Sequence, residues 1–339
     1  MALFLESRDL QIPDLILERF SLVLLWGVRL VRHRAKRGTL CHKTSLGTHS
    51  GRNFFSVDIE ALRDRYLVSL KRFLTRYKFE PEEMWILPTF WSTGWTWKLR
   101  IWAVMHHSKL QFLRWVSLLG LQRVHYIDEE RRDGKDWPVA AETMVGLTRL
   151  NQLHAALDYV VKNSIPGDLL EAGVWRGGAG IFMAAYLEVH GLQDRKVYLA
   201  DSFEGLPPPT GRHEADAMSR FHKWTYLAVG KEEVVRNFRK YDVSLDQVEF
   251  LEGFFGDSLP SADVRNLALL RMDGDMYEST VDILVNLYHK VSEGGIVIVD
   301  DWGIPQAQMA VRDFLGEAGK DIEFQAIDDS AVFFYKPKS

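Results

Sequence analysis

"DLLEAGVWRGGAGIFMAAYLEVHG", residues 168–191, decides the fold. Its first seven residues form a short apolar run suited to a buried strand. After Gly177 the apolar residues continue at helical length, and Gly191 can close that helix. A strand that turns into a helix through glycines is the first half of a βαβ unit. The pattern recurs downstream: "KVYLADS" (196–202) reads as a strand, "KEEVVRNFRKYD" as a helix, and "VEFLEG" and "LALLRMD" as strands. "STVDILVNLYHKVSEGG" then reads as a helix ending at a glycine pair, followed by the strand "IVIVDD". Short apolar runs alternating with helices predict a parallel sheet covered on both faces. "IEFQAI" and "AVFFYK", joined only by "DDS", must pair antiparallel. The expected fold is α/β, with five parallel strands finished by an antiparallel hairpin.

Open sheets of this kind take ligands beyond the carboxyl ends of their strands. Asp201, Asp273, Asp275, Asp300 and Asp301 all follow strand ends, so they should converge on one crevice. The loop "EAGVWRGG" (171–178) lets a ligand approach its backbone. Asp201, at the next strand end, can accept hydrogen bonds from two ribose hydroxyls. A dinucleotide would suit the same arrangement, but its fingerprint is G-x-G-x-x-G. Here the spacing is G-x-x-x-G-G, with bulky Trp175 and Arg176 at the turn. Glu171, just before the loop, suits a ligand with an amino group, such as the methionine part of S-adenosylmethionine. Good packing alone is the plainer explanation of such a loop.

Gathered carboxylates repel, so something must compensate them. Hard cations such as Mg²⁺ take oxygen ligands, and Asp273, Asp300 and Asp301 could supply three. The competing explanation is that Asp300 and Asp301 cap a helix starting near Pro305 while Asp273 satisfies a turn. No His or Cys stands near them in the sequence, which argues against structural zinc. A metal would activate and orient a hydroxyl, and Asp275, two residues from Asp273, is the candidate general base. The long "FEGLPPPTGRHEADAMSRFHKWTY" (203–226) has the character of a loop that covers an active crevice.

At 339 residues, with 47% apolar and 26% charged residues and a net charge of −4, the chain is globular in composition. Its single cysteine, Cys41, excludes an internal disulfide framework and fits a reducing cytoplasm. The N-terminus shows no secretory-leader pattern, and its longest apolar stretch falls short of the roughly 20 residues that span a bilayer. Charge is uneven along the chain. Eight Lys or Arg and no acid lie between Glu18 and Asp58, and five more between Glu83 and Asp128. Seven of eleven tryptophans also lie in this first part. We therefore expect a helical, basic, Trp-rich accessory region over 1–130 and a catalytic domain over 131–339. The stretches 20–37 and 84–127 suit packing on the core or on a second subunit better than attachment to an anionic membrane. Nucleic-acid binding is disfavoured by the absence of a recognised motif.

Six segments carry a resemblance: "RRDGKDWPVAAETMVGLTRLNQL", "GDLLEAGVWRGGAGIFM", "YLADSFEGLPPP", "VEFLEGFFGDSLP", "LLRMDGDMYEST" and "GGIVIVDDWG". In this order they resemble the macrocin O-methyltransferase family over residues 128–339, with a weaker echo at 62–81. That family methylates sugar hydroxyls of glycosylated natural products with S-adenosylmethionine and Mg²⁺. The resemblance implies a class I methyltransferase (Rossmann-like) sheet and a small glycoside acceptor; a homo-oligomer is expected separately. It implies Asp273, Asp300 and Asp301 as metal ligands and Asp275 as base. It also implies cofactor contacts from Glu171, Ala172, Gly173, Trp175, Asp201 and Ser202, with Asp257 and Ser258 near the adenine and Thr143 and Met144 folded over the cofactor. Trp302 stands where the family pattern has tyrosine, and the loop after it is a residue shorter. The rival readings are an idle methyltransferase-like scaffold and an NAD-dependent oxidoreductase or epimerase. The retained acids disfavour the first and the loop spacing disfavours the second.

Overall fold

The structure is a computed structural model that describes residues 58–78, 127–138 and 140–338, and the strand pairing alone at 83–86 and 122–125. These residues belong to a compact unit, Asp58–Ser339. The basic segment 20–37 and most of 84–127 lie outside the described residues, and so do the expectations about their role. No helix among the described residues is long and apolar enough to cross a membrane.

Helix α1 (Ile59–Thr75) starts at Asp58, whose carboxylate accepts the Ala61 N–H at 3.1 Å, the usual work of an N-cap acid. Strands β1 (Glu83–Ile86) and β2 (Gln122–His125) pair antiparallel within a region expected to be helical. Helices α2 (Asp128–Asp133) and α3 (Leu147–Lys162) lead into the main sheet. There β3 (Asp168–Ala172), α4 (Gly178–His190), β4 (Val197–Asp201), α5 (Lys231–Lys240) and β5 (Val248–Glu252) form the first half. The short α6 (Phe255–Ser258), β6 (Leu267–Met272), α7 (Tyr277–Leu287), β7 (Val291–Val299) and α8 (Pro305–Leu315) form the second. Strands β8 (Gln325–Ala326) and β9 (Val332–Tyr335) complete it.

The sheet order is β5-β4-β3-β6-β7-β9-β8. The first five strands are parallel, β9 runs antiparallel to β7, and β8 antiparallel to β9. This is the architecture expected from the alternation of runs. All six residues of β6 are buried because helices cover both faces of the sheet. On one face α1, α3 and α4 share a core that includes Leu67, Leu150 and Phe182. On the other, α7 and α8 contribute Ile283, Leu284 and Val311. Helix α4 is buried from Gly178 to Leu187, all round, which a helix on an open sheet face cannot be. Helix α1 supplies the outer cover, with Leu67, Leu70 and Leu74 in the same core.

One boundary differs from expectation. The helix before the last parallel strand stops at Leu287, and Val291–Gly295 already belongs to β7. Gly294 has φ 72°, and a Cβ on Gly295 would stand 2.8 Å from the Ser292 carbonyl oxygen. The glycines serve a bend inside the strand, held by Gly294 N–H to Lys336 O at 2.9 Å. The chain runs from β3 outward to β4 and β5, then returns to β6 on the other side. The switch point, where such sheets place ligands, lies between β3 and β6.

Candidate active site

The carboxyl ends of β3 and β6 touch. Gly173 has φ 94°, and a Cβ there would lie 2.0 Å from the Asp273 carbonyl oxygen. Only glycine fits, and the next loop starts where the two strands are closest. Beyond it Asp201 binds the loop: its Oδ2 accepts the Val174 N–H at 2.7 Å and its Oδ1 the Phe203 N–H at 2.8 Å. Burial nonetheless raises the Asp201 carboxyl above its usual range, against those backbone bonds. Trp175 holds a left-handed φ of 47°, and its indole N–H donates to the Tyr226 carbonyl at 3.0 Å. A Cβ on Gly178 would meet the Glu142 carbonyl oxygen and the Thr143 Cβ, each at 2.6 Å. That close approach brings Thr143 and Met144 to the crevice. Glu142 secures them, accepting from Lys240 at 2.5 Å, from Arg76 at 3.2 Å and from the Tyr241 hydroxyl.

At the acidic end, oxygens of Asp273, Asp275 and Asp301 lie within 4.8 Å of one another. Asp275 has φ 58°, and its N–H donates to Asp301 Oδ2 at 2.8 Å. Burial, with Asp273 and Asp300 nearby, pushes the Asp275 carboxyl up to about 8. Asp301 is raised well above its usual range by burial and then by Asp275. Of these three acids Asp273 alone has an ion pair among the described residues, to Arg271, so the cluster gains by taking a hard cation, and the oxygen-only donor set fits Mg²⁺.

Behind this cluster stands Arg271 of β6, fully buried. Its Nη1 donates to Glu171 Oε1 and its Nη2 to Asp273 Oδ2, and Nη2 also forms an ion pair with Asp300 Oδ1, each at 2.9 Å. Arg149 of α3 takes the other Asp300 oxygen at 2.6 Å and forks onto Asp328 at 2.7 and 3.1 Å. Despite Arg271, burial pushes Glu171 up to about 8. Its Oε2 is buried with no hydrogen-bond partner among the described residues. Glu171 itself lines the crevice, and a carboxylate there fits a ligand ammonium.

A cavity of about 350 Å³ joins the two ends. Thr143, Met144, Glu171, Gly173, Trp175 and Asp201 line it, as do Ser202, Asp257, Asp273 and Asp275. Four expected residues do not. Ala172 is a buried strand residue whose carbonyl accepts the Asp273 N–H at 2.8 Å. Ser258 turns its hydroxyl to the Gly253 and Phe254 carbonyls, at 3.2 and 3.1 Å. Asp300 faces its two arginines, and Asp301 joins the acid cluster from the far side. Neither Asp300 nor Asp301 caps α8 through its side chain: the N-cap is Ile304, bonded to the Asp301 carbonyl. Trp302 packs away from the cavity, against Phe324 at 4.6 Å and beneath Arg312. Sequence reading missed Arg149, which has no local signal on α3, and Arg271, whose only local signal is a cation in a buried strand two residues before an acid. It also missed Thr210, Arg212 and Glu278, which wall the cavity from the 203–230 loop and α7.

Residues 63–336 match the profile of the family described as Macrocin-O-methyltransferase (TylF). The chain is 45% identical over 216 residues to the demethyldecarbamoylnovobiocin O-methyltransferase of Streptomyces niveus, covering 63% of this chain and 82% of that protein. It is 47% identical over 203 residues to an 8-demethyl-8-(2,3-dimethoxy-alpha-L-rhamnosyl)-tetracenomycin-C 4'-O-methyltransferase of Streptomyces olivaceus, covering 59% and 78%. Among solved structures it is similar to the O-methyltransferase NovP, with TM-score 0.66 and 37% identity over 81% of this chain and all of that one.

Proposed function

The chain belongs to the macrocin O-methyltransferase family, and from that premise we propose that it methylates a sugar hydroxyl of a glycosylated natural product in a Mg²⁺-assisted reaction. That it is an S-adenosylmethionine-dependent O-methyltransferase follows from the family itself. Relatives named for acting on a novobiocin precursor, a rhamnosyl tetracenomycin and a mycinamicin support a glycoside as acceptor. The observation that carries the reading is the convergence of Asp273, Asp275 and Asp301 beside the Glu171–Asp201 crevice.

In this reading Glu171 would receive the amino group of the methionine moiety, and Asp201 the ribose hydroxyls. Asp201 keeps its backbone bonds, because a carboxylate offers about four acceptor directions. Thr143 and Met144 close over the cofactor. Asp273 and Asp301 would hold the ion; Asp300, expected as the third donor, would have to give up an arginine to join them, since Arg271 and Arg149 each take one of its oxygens. Mg²⁺ bound there would favour ionisation of the acceptor hydroxyl and fix its orientation. Asp275, at the cavity wall beside Asp273, would take the hydroxyl proton. S-adenosylmethionine bound there would supply the methyl group and leave as S-adenosylhomocysteine, while the protein's own residues contribute positioning and charge balance.

The test is methyl transfer from labelled S-adenosylmethionine to a set of deoxysugar glycosides, with EDTA or with added Mg²⁺. Transfer that requires Mg²⁺ and is lost in Asp275→Asn, with cofactor binding retained, is expected. Full turnover in EDTA would remove the metal, and normal turnover of the variant would remove Asp275 as base.

A further inference from the structure

Helix α7 begins directly after the turn that carries Asp273 and Asp275, and its N-cap residue is Met276, which has no side-chain acceptor. The first N–H groups of a helix need partners from outside it. Here they find one about sixty residues back in the chain. Asp216, fully buried in the 203–230 loop, accepts the Tyr277 N–H on Oδ1 at 2.9 Å and the Glu278 N–H on Oδ2 at 2.8 Å. The helix returns the contact. The Glu278 carboxylate accepts the Thr210 hydroxyl at 2.6 Å and the His213 N–H at 3.1 Å. Arg212 forks onto Asp282 at 2.9 and 2.7 Å, and the His213 ring lies parallel to Tyr277 with centroids 3.6 Å apart. The same loop walls the cavity through Thr210 and Arg212.

We propose that Asp216 is a positioning residue for Asp275: by capping α7 from the loop, it fixes the acidic turn only while the loop is docked. Asp275 sits in the left-handed region, φ 58°, which a non-glycine residue holds only when its surroundings enforce it. The anchor on its C-terminal side is the start of α7. Two buried N–H groups share one carboxylate there, and undocking the loop strips both of it. Docking of the cavity wall and geometry of the base therefore form one equilibrium. The catalytic part of this inference rests on Asp275 acting as base; the structural coupling does not.

Hydrogen exchange on the full chain, comparing wild type with Asp216→Asn and Asp216→Ala, tests it. Exchange should accelerate together in 204–217 and 273–283, by about tenfold or more, the scale of one buried amide losing its acceptor. Exchange in 168–190 should hold at the wild-type rate, and S-adenosylhomocysteine affinity within about twofold. Acceleration of the loop alone, or an equal rise throughout the chain, would overturn the proposal. If Asp216→Ala does not fold, Asp216→Asn still decides, since it keeps one acceptor and the side-chain shape. In turnover assays the variants should lose kcat with the cofactor KM unchanged. A protein inactive towards every glycoside would leave the exchange result standing, and so separates failure of this proposal from failure of the functional reading.

Discussion

Glu171 and Arg271 show how single residues set the electrostatics of the crevice. The Glu171 carboxyl, raised to about 8, is largely protonated at neutral pH in the empty protein. A ligand ammonium favours its ionised form, so binding must release a proton and strengthen as pH rises towards 8. We predict that S-adenosylhomocysteine affinity, measured calorimetrically, rises roughly tenfold from pH 6 to 7, and that Glu171→Gln flattens the profile. An equal slope in the variant would reject Glu171 as the group responsible. The same shift acts on stability with the opposite sign: the acid favours the folded state fully below about pH 4, and that contribution is lost as pH rises through 8. Arg271 donates to Glu171 and is the shared counter-charge of Asp273 and Asp300. Removing one partner of a buried ionic group costs about 3–5 kcal/mol, so Arg271→Gln should melt well below wild type. Added Mg²⁺ should recover part of that loss by replacing positive charge, and Arg271→Lys should fall between, lacking the fork that reaches three carboxylates. Identical melting with and without Mg²⁺ would mean that the ion does not share these acids.

Among the elements, the β3–β6 junction depends on one glycine. Gly173→Ala puts a methyl 2.0 Å from a backbone oxygen that no rotamer change can move. It also adds left-handed strain of about 1–2 kcal/mol. We expect this variant to lose cofactor binding and to melt early, whereas Gly191→Ala, with nothing within 4 Å of its Cβ, should show the strain alone. Comparable melting of the two would show that the strand ends can part without cost. Element types were readable from the sequence here because each parallel strand is a short run buried on both faces. The start of β7 was not, because "VSEGG" looks like a helix end until Lys336 supplies its sheet partner. The cap of α7 was equally hidden, since its acid stands in another loop.

For the molecule as a whole, the change in composition near residue 130 does not coincide with a break in packing. Helix α1 lies before it, yet fills the outer side of α4 with Leu67, Leu70 and Leu74. Leu74→Ala should therefore cost about 2–5 kcal/mol in denaturant unfolding, against about 0.5 kcal/mol or less for Val68→Ala on the exposed side. A small effect at Leu74 would make α1 an appendage. The all-round apolar character of α4 hinted at such a cover but could not say which segment provides it. The sequence by itself determined the parallel sheet, its antiparallel finish, the crevice at the strand ends and the acids that point to it. These follow from apolar period and chain order, which are local properties. Tertiary structure alone decided which acids converge, which are neutralised by Arg149 and Arg271, and what caps α7. Coulomb attraction and hydrogen bonding act over a few ångströms in space, and these partners stand as far as 179 residues apart in the chain.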